Sequence, residues 1–187
     1  MKNTKTTSLV RIALLMAITI VLAATPLGYI PAGPLSFTIM VLPVAIGGVM
    51  LDKNAGLILG LTFGITSLIS APTQAMGQLL LAQSGILTAA ICIVPRVLVG
   101  FVSGLFHKIH LKNGKRPLWV YLAAGGAASF TNTALFLGLI YIFSHTLIEG
   151  AFGIAIWSSL LVGGVMELAA NAFFTMVIAK ALERITF

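Results

Sequence analysis

Apolar runs separated by short connections fall at residues 9–24, 37–51, 54–71, 85–106, 118–143 and 153–183, and this rhythm constrains the fold more than any other feature. A helix needs roughly 20 mainly apolar residues to cross a bilayer, and most of these runs approach that length. With 59% hydrophobic and 8% charged residues, no water-soluble fold could bury so much apolar surface. The expectation is an all-α integral membrane protein, a bundle of about six transmembrane helices. It forms a single domain over residues 1–187, and its short connections leave no room for a separate soluble domain.

The runs differ in detail. The first follows Lys2, Lys5 and Arg11 and ends near small residues, as a signal peptide would, but further spans follow at once and it reads as a retained first helix. After it, Pro26-Leu-Gly-Tyr-Ile-Pro-Ala-Gly-Pro34 cannot continue a helix, so the chain must turn there. The run at 37–51 contains Pro43 and Gly47-Gly48 and would reach only about 22 Å as ideal helix. It is expected to be a short or kinked span. The uncharged stretch Pro72-Thr-Gln-Ala-Met-Gly-Gln78 reads as a re-entrant or partly buried loop, and the last run is long enough to require tilt or a cytoplasmic extension.

Charge sets the orientation. Lys2, Lys5 and Arg11, then Lys53, then Lys108, Lys112, Lys115 and Arg116, and finally Lys180 and Arg184 fall in alternate connections and at the termini. The other connections contain no lysine or arginine. Cytoplasmic segments of membrane proteins are enriched in these residues, so both termini are expected inside, and the alternation supports an even number of spans. The net charge of +7 is distributed among these segments and forms no single patch, so no nucleic-acid partner is expected.

Arg96 lies within the fourth apolar run, where a guanidinium costs several kcal/mol unless it meets protein, water or a counter-ion. Glu167 is the acid within an apolar run, with Asn171 one turn further along the same helix face and Gly163 one turn before it. In the fifth run, Thr131-Asn132-Thr133 follows Gly125-Gly-Ala-Ala-Ser129, combining close packing with hydrogen-bonding groups. These three helices can line one polar pocket. The plainer alternative is a structural Arg96–Glu167 ion pair with amides that join helices, and threonines satisfied on their own backbone. Gln74, Gln78 and Gln83 either cap an outer cavity or contact water, and Tyr29 and Trp157 fit an interfacial aromatic belt.

Cys92 has no partner cysteine and reads as a packing residue, and His107, His110 and His145 lack the spacing of a metal site or a triad. No G-x-x-x-x-G-K-[ST] motif is present, so the chain is not expected to hydrolyse nucleotides by a P-loop mechanism. Binding or transport fits better than catalysis, and no cofactor is implied.

Further residues form a recognisable pattern: Arg11-Ile-Ala13-Leu-Leu-Met-Ala17, Pro26-Leu-Gly-Tyr-Ile-Pro31, Thr38-Ile-Met40, Pro43 and the Gly56-x-x-x-Gly60-x-x-x-Gly64 ladder. Over essentially its whole length the chain resembles the substrate-binding S components of energy-coupling factor (ECF) vitamin transporters, an ABC-type family of the bacterial cell membrane. The loop and the Thr-Ile-Met segment look most like the pantothenate-specific branch, while hydroxymethylpyrimidine components share similar features. The resemblance implies a protein that captures a small vitamin from outside and passes it on with a transmembrane coupling subunit and two ATPase subunits. It also implies a docking role for Ala13 and Ala17, small residues that let another helix approach.

On this reading Arg96 is expected to bind the pantothenate carboxylate, and Asn132 and Asn171 its amide and hydroxyl groups, with Glu167, Thr131 and Gln78 as further binding residues. If Glu167 already neutralises Arg96, a neutral pyrimidine or a zwitterion fits better. A stand-alone secondary transporter would be expected to show internal repeats, and none is convincing here. A small polytopic membrane enzyme would need a nucleophile or metal cluster at depth.

Overall fold

The computed structural model describes residues 4–32, 35–109 and 116–186. Lys2, Lys112 and Lys115 of the orienting basic segments lie outside these residues, as do His110 and the Gly33-Pro34 pair of the first loop. The elements run α1 (Thr4–Ala24), β1 (Tyr29–Ala32), β2 (Leu35–Thr38), α2 (Val41–Met50), α3 (Lys53–Ser70), α4 (Ala75–Gln83), α5 (Gly85–Leu105), α6 (Leu118–Phe152) and α7 (Ile156–Thr186). Among the described residues, α1, α3, α5, α6 and α7 are long and apolar enough to cross a membrane.

The expected turn after α1 is a small antiparallel hairpin, with Tyr29 opposite Thr38. It takes the beginning of the run expected as the second span. Pro43 then sits in the first turn of α2, where its missing N–H would have had no helical partner, so it starts a helix and does not kink one. The resulting α2 has 10 residues, all buried, and is about 15 Å long. Helices α1, α3, α5, α6 and α7 all pack on it. Its neighbour α1 is the opposite: Leu9, Val10, Leu14 and Val21 are each more than 60% exposed, as suits a helix at the edge of a bundle in lipid.

The glycine ladder of α3 meets α5 in an antiparallel seam. A Cβ on Gly56 or on Gly100 would run into the carbonyl oxygen of the other, a Cβ on Gly60 would strike the Arg96 carbonyl oxygen, and one on Gly64 would meet the Ile93 Cα. Glycine removes the side-chain layer, so the two backbones touch.

Three expectations change at the connections that carry no lysine or arginine. Residues 71–83 are not a loop: a 3-10 turn, Ala71–Thr73, leads into α4, whose Met76 and Leu80 are buried. Gln83 fastens the end of α4 to α6, accepting from Ser144 Oγ at 2.6 Å and donating to the Phe143 carbonyl at 2.8 Å. Helix α6 continues beyond residue 143 to Phe152, reaching 35 residues, and stops at Gly153, whose φ of +78° few other residues would adopt. Just beyond, Trp157 Nε1 donates to Glu149 Oε1 at 2.7 Å, tying α7 to the end of α6.

At the opposite end the basic residues gather. A Cβ on Gly104 would meet Lys53, His107 Nδ1 lies 3.2 Å from the Val49 carbonyl, and Arg116 Nη2 lies 3.0 Å from the same His107 nitrogen. Lys180 pairs with Glu183 at 2.6 Å.

Candidate functional site

Away from that basic end, a cavity of about 730 Å³ opens between the top of α1, the hairpin, the start of α4 and the walls of α5, α6 and α7. Arg96, Asn132, Thr133, Phe136 and Glu167 line its depth, with Tyr29, Thr38 and Gln74 nearer the hairpin and α4. Its three polar walls come in chain order, α5 and α7 each packing on α6.

Arg96 stands in the middle of α5, only 6% exposed. Its Nη1 donates to the Ile91 carbonyl at 2.9 Å, and its guanidinium carbon lies 4.8 Å from the Phe136 ring centre and 5.5 Å from that of Phe63. Cation–π contact of this kind is worth about 2 kcal/mol when desolvated, which offsets part of the cost of placing the charge there. Arg96 Nε is buried without a protein partner. The ion pair with Glu167 that a purely structural role would require does not form; among the described residues the ion pair is Lys180–Glu183.

Asn132, on α6, is 6% exposed and its Oδ1 has no protein partner. Glu167, on α7, faces the backbone N–H of Thr38 with its carboxylate, but Oε1 is likewise buried without a partner. Three residues on three helices that line one cavity thus each carry a buried polar atom without a protein partner. Unsatisfied buried groups are costly, so their concentration here makes the cavity a candidate site for a polar ligand.

Asn171, Thr131 and Gln78 fall outside the lining. Asn171 does share a helix face with Glu167, and both reach the hairpin, but the Asn171 amide is engaged: Nδ2 donates to the Thr38 carbonyl at 3.4 Å and to Ser129 Oγ at 3.3 Å. Thr131 bonds its own helix at the Ala127 carbonyl, 2.7 Å away. Gln78 is exposed and donates to the Pro72 carbonyl at 2.8 Å. Tyr29 is not a belt residue; its hydroxyl pairs with Ser67 Oγ at 2.7 Å and its ring borders the cavity. Cys92 is buried as a packing residue.

Sequence reasoning missed the aromatic pair Phe63 and Phe136 that flanks Arg96, and it passed over Pro95, the helix-interior proline directly before it. The dipeptide was visible in the sequence. The rings were not, since phenylalanines are common in any membrane helix.

Residues 7–179 match the family described as ECF transporter, substrate-specific component. The chain belongs to this family. As an S component it is a multi-pass membrane protein of a transport system. It is also similar to the pantothenic acid transporter PanT of Lactococcus lactis subsp. cremoris (strain MG1363), at 26% identity over 196 residues, covering 98% of this chain and 97% of that protein.

Proposed function

We propose that this S component captures pantothenate in the cavity, with Arg96 binding the carboxylate and Asn132 and Glu167 receiving the amide and hydroxyl groups. The observation that carries the reading is the set of buried polar atoms without protein partners, Arg96 Nε, Asn132 Oδ1 and Glu167 Oε1, around one cavity. Because Glu167 does not pair with Arg96, the cationic pole stays available for an anion, which favours an acid over a neutral pyrimidine. The similarity to a pantothenic acid transporter points the same way. In this reading Asn171 acts on the ligand indirectly, holding Thr38 beside Glu167. Thr131 and Gln78, engaged on their own segments, contribute less.

The bundle is read as six membrane-embedded helices, α2 being the short one, with both termini in the cytoplasm. The basic ends of α3, α5, α6 and α7 then face inside, and the cavity opens outward, where a scavenged vitamin arrives. Energy would come from separate ATPase subunits through a transmembrane coupling subunit. Ala13 and Ala17 are exposed on the outer face of α1 and would present a low surface to it. Replacing either by tryptophan is expected to abolish coupled transport while leaving pantothenate binding unchanged. Normal transport by both variants in vesicles containing the coupling module would refute the docking role.

The decisive experiment measures pantothenate and its primary-alcohol analogue on purified wild-type protein and on Arg96→Met. Loss of a buried charge contact should weaken pantothenate by about 2–5 kcal/mol in the variant. The alcohol analogue should then bind the variant nearly as well as pantothenate does. Unchanged pantothenate affinity in folded Arg96→Met would reject the carboxylate assignment, and preferential binding of hydroxymethylpyrimidine would move the substrate to that class.

A further inference from the structure

Arg96 keeps its charge uncommitted although it is buried, and the cause lies one residue earlier. Pro95 is inside α5. A proline has no N–H, so the carbonyl four residues back, that of Ile91, loses its helical donor. In a membrane interior a carbonyl freed in this way must find another donor. Arg96 supplies it, through Nη1 at 2.9 Å.

We propose that Pro95 is a positioning residue for substrate recognition: by freeing the Ile91 carbonyl, it creates the anchor that holds the Arg96 guanidinium between Phe63 and Phe136 and aims it into the cavity. The holding groups are neutral. A carbonyl dipole and two ring faces can fix a guanidinium without cancelling its charge, whereas a carboxylate partner would both fix and neutralise it. Nε is left without a protein partner. This inference rests on the proposed function only in taking the ligand group that meets Arg96 to be an anion.

The test uses Pro95→Ala and Pro95→Leu, either of which restores an N–H that competes for the Ile91 carbonyl. Helix propensity favours both residues over proline, so the variants are expected to fold. The first readout needs no ligand. A guanidinium held in place rotates slowly about its C–N bonds and gives separate Nη signals in ¹⁵N NMR of arginine-labelled protein in nanodiscs, the Arg96 set being identified by its absence from Arg96→Met. Those signals should merge in both Pro95 variants. The second readout is the ratio of affinities for pantothenate and its primary-alcohol analogue, which should shrink about tenfold as the charge-assisted contact is misaligned. Separate Arg96 signals that persist in both variants overturn the proposal, as does an unaltered ratio where the wild type prefers the acid. If the signals merge but the wild type shows no preference for the acid, the positioning role stands and the carboxylate reading of the site fails.

Discussion

Along one face of α5, Gly100 and the backbone of Arg96 lie against Gly56 and Gly60 of α3 so closely that not even a methyl group would fit. Along another, the Arg96 guanidinium lies between Phe63 of α3 and Phe136 of α6, beside a cavity of about 730 Å³ that is also lined by Asn132 and Glu167, each with a polar atom unbonded. The first contact is backbone on backbone and has no tolerance. The second is left incomplete by the protein. What the contrast teaches is a division of labour within one helix: the seam fixes where the Arg96 Cα stands, and the open wall lets its side chain meet something other than protein. A loosely packed seam would blur the guanidinium position and waste the charge.

Three substitutions probe this contrast. The largest effect is expected from Gly100→Leu, which drives a side chain into the Gly56 carbonyl. Overpacking commonly costs about 1–3 kcal/mol and more where the obstacle is backbone, so this variant should lose thermal stability, and with it binding of any ligand. A melting temperature equal to that of the wild type would mean the seam can part, and would remove the rigid side of the comparison.

Asn132→Leu acts on the wall. Here the wild-type carbonyl oxygen has no protein partner, so removing it takes away an unsatisfied group and the unliganded protein should be as stable as before, or more so. Pantothenate affinity should fall by about 1–3 kcal/mol, read by calorimetry against the thermal melt. A destabilised protein with undiminished affinity would make Asn132 a packing residue and the wall a second seam.

The smallest effect belongs to Thr131→Val. Thr131 neighbours Asn132 in sequence but bonds its own helix at Ala127, so the nearly isosteric change should stay within about 0.5 kcal/mol in both stability and affinity. A large loss of binding would show that the wall extends around α6 beyond the residues that now line the cavity.

The candidate site was legible in part, and for a physical reason in each case. Arg96 and Glu167 stood out because ionisable groups in apolar runs are expensive and seldom incidental. Asn132 could be named from its polar neighbours, but Thr131 and Asn132 looked alike in the sequence. Which one turns toward the cavity depends on how α6 rotates against α5 and α7. Asn171 was placed on the correct face of α7, yet its amide is consumed by Thr38 and Ser129, partners more than forty residues away along the chain. The hairpin that brings Thr38 there was legible only as a turn.

By itself, the sequence determined that the chain lives in lipid, where its long helices lie, where its basic residues collect and which ionisable groups are buried, because those properties follow from hydropathy and charge read locally. It did not determine that the run at 37–51 would divide into a strand and a short enclosed helix, that residues 75–83 would form α4, or that Arg96 would be held by two rings and a carbonyl and not by Glu167. Those outcomes depend on packing. Gly56 and Gly100 set how closely α3 approaches α5, that approach brings Phe63 to the guanidinium, and the packing of α5 and α7 on α6 leaves Glu167 without an ion pair to Arg96. Only the tertiary arrangement decides which polar atoms find partners within the protein and which do not.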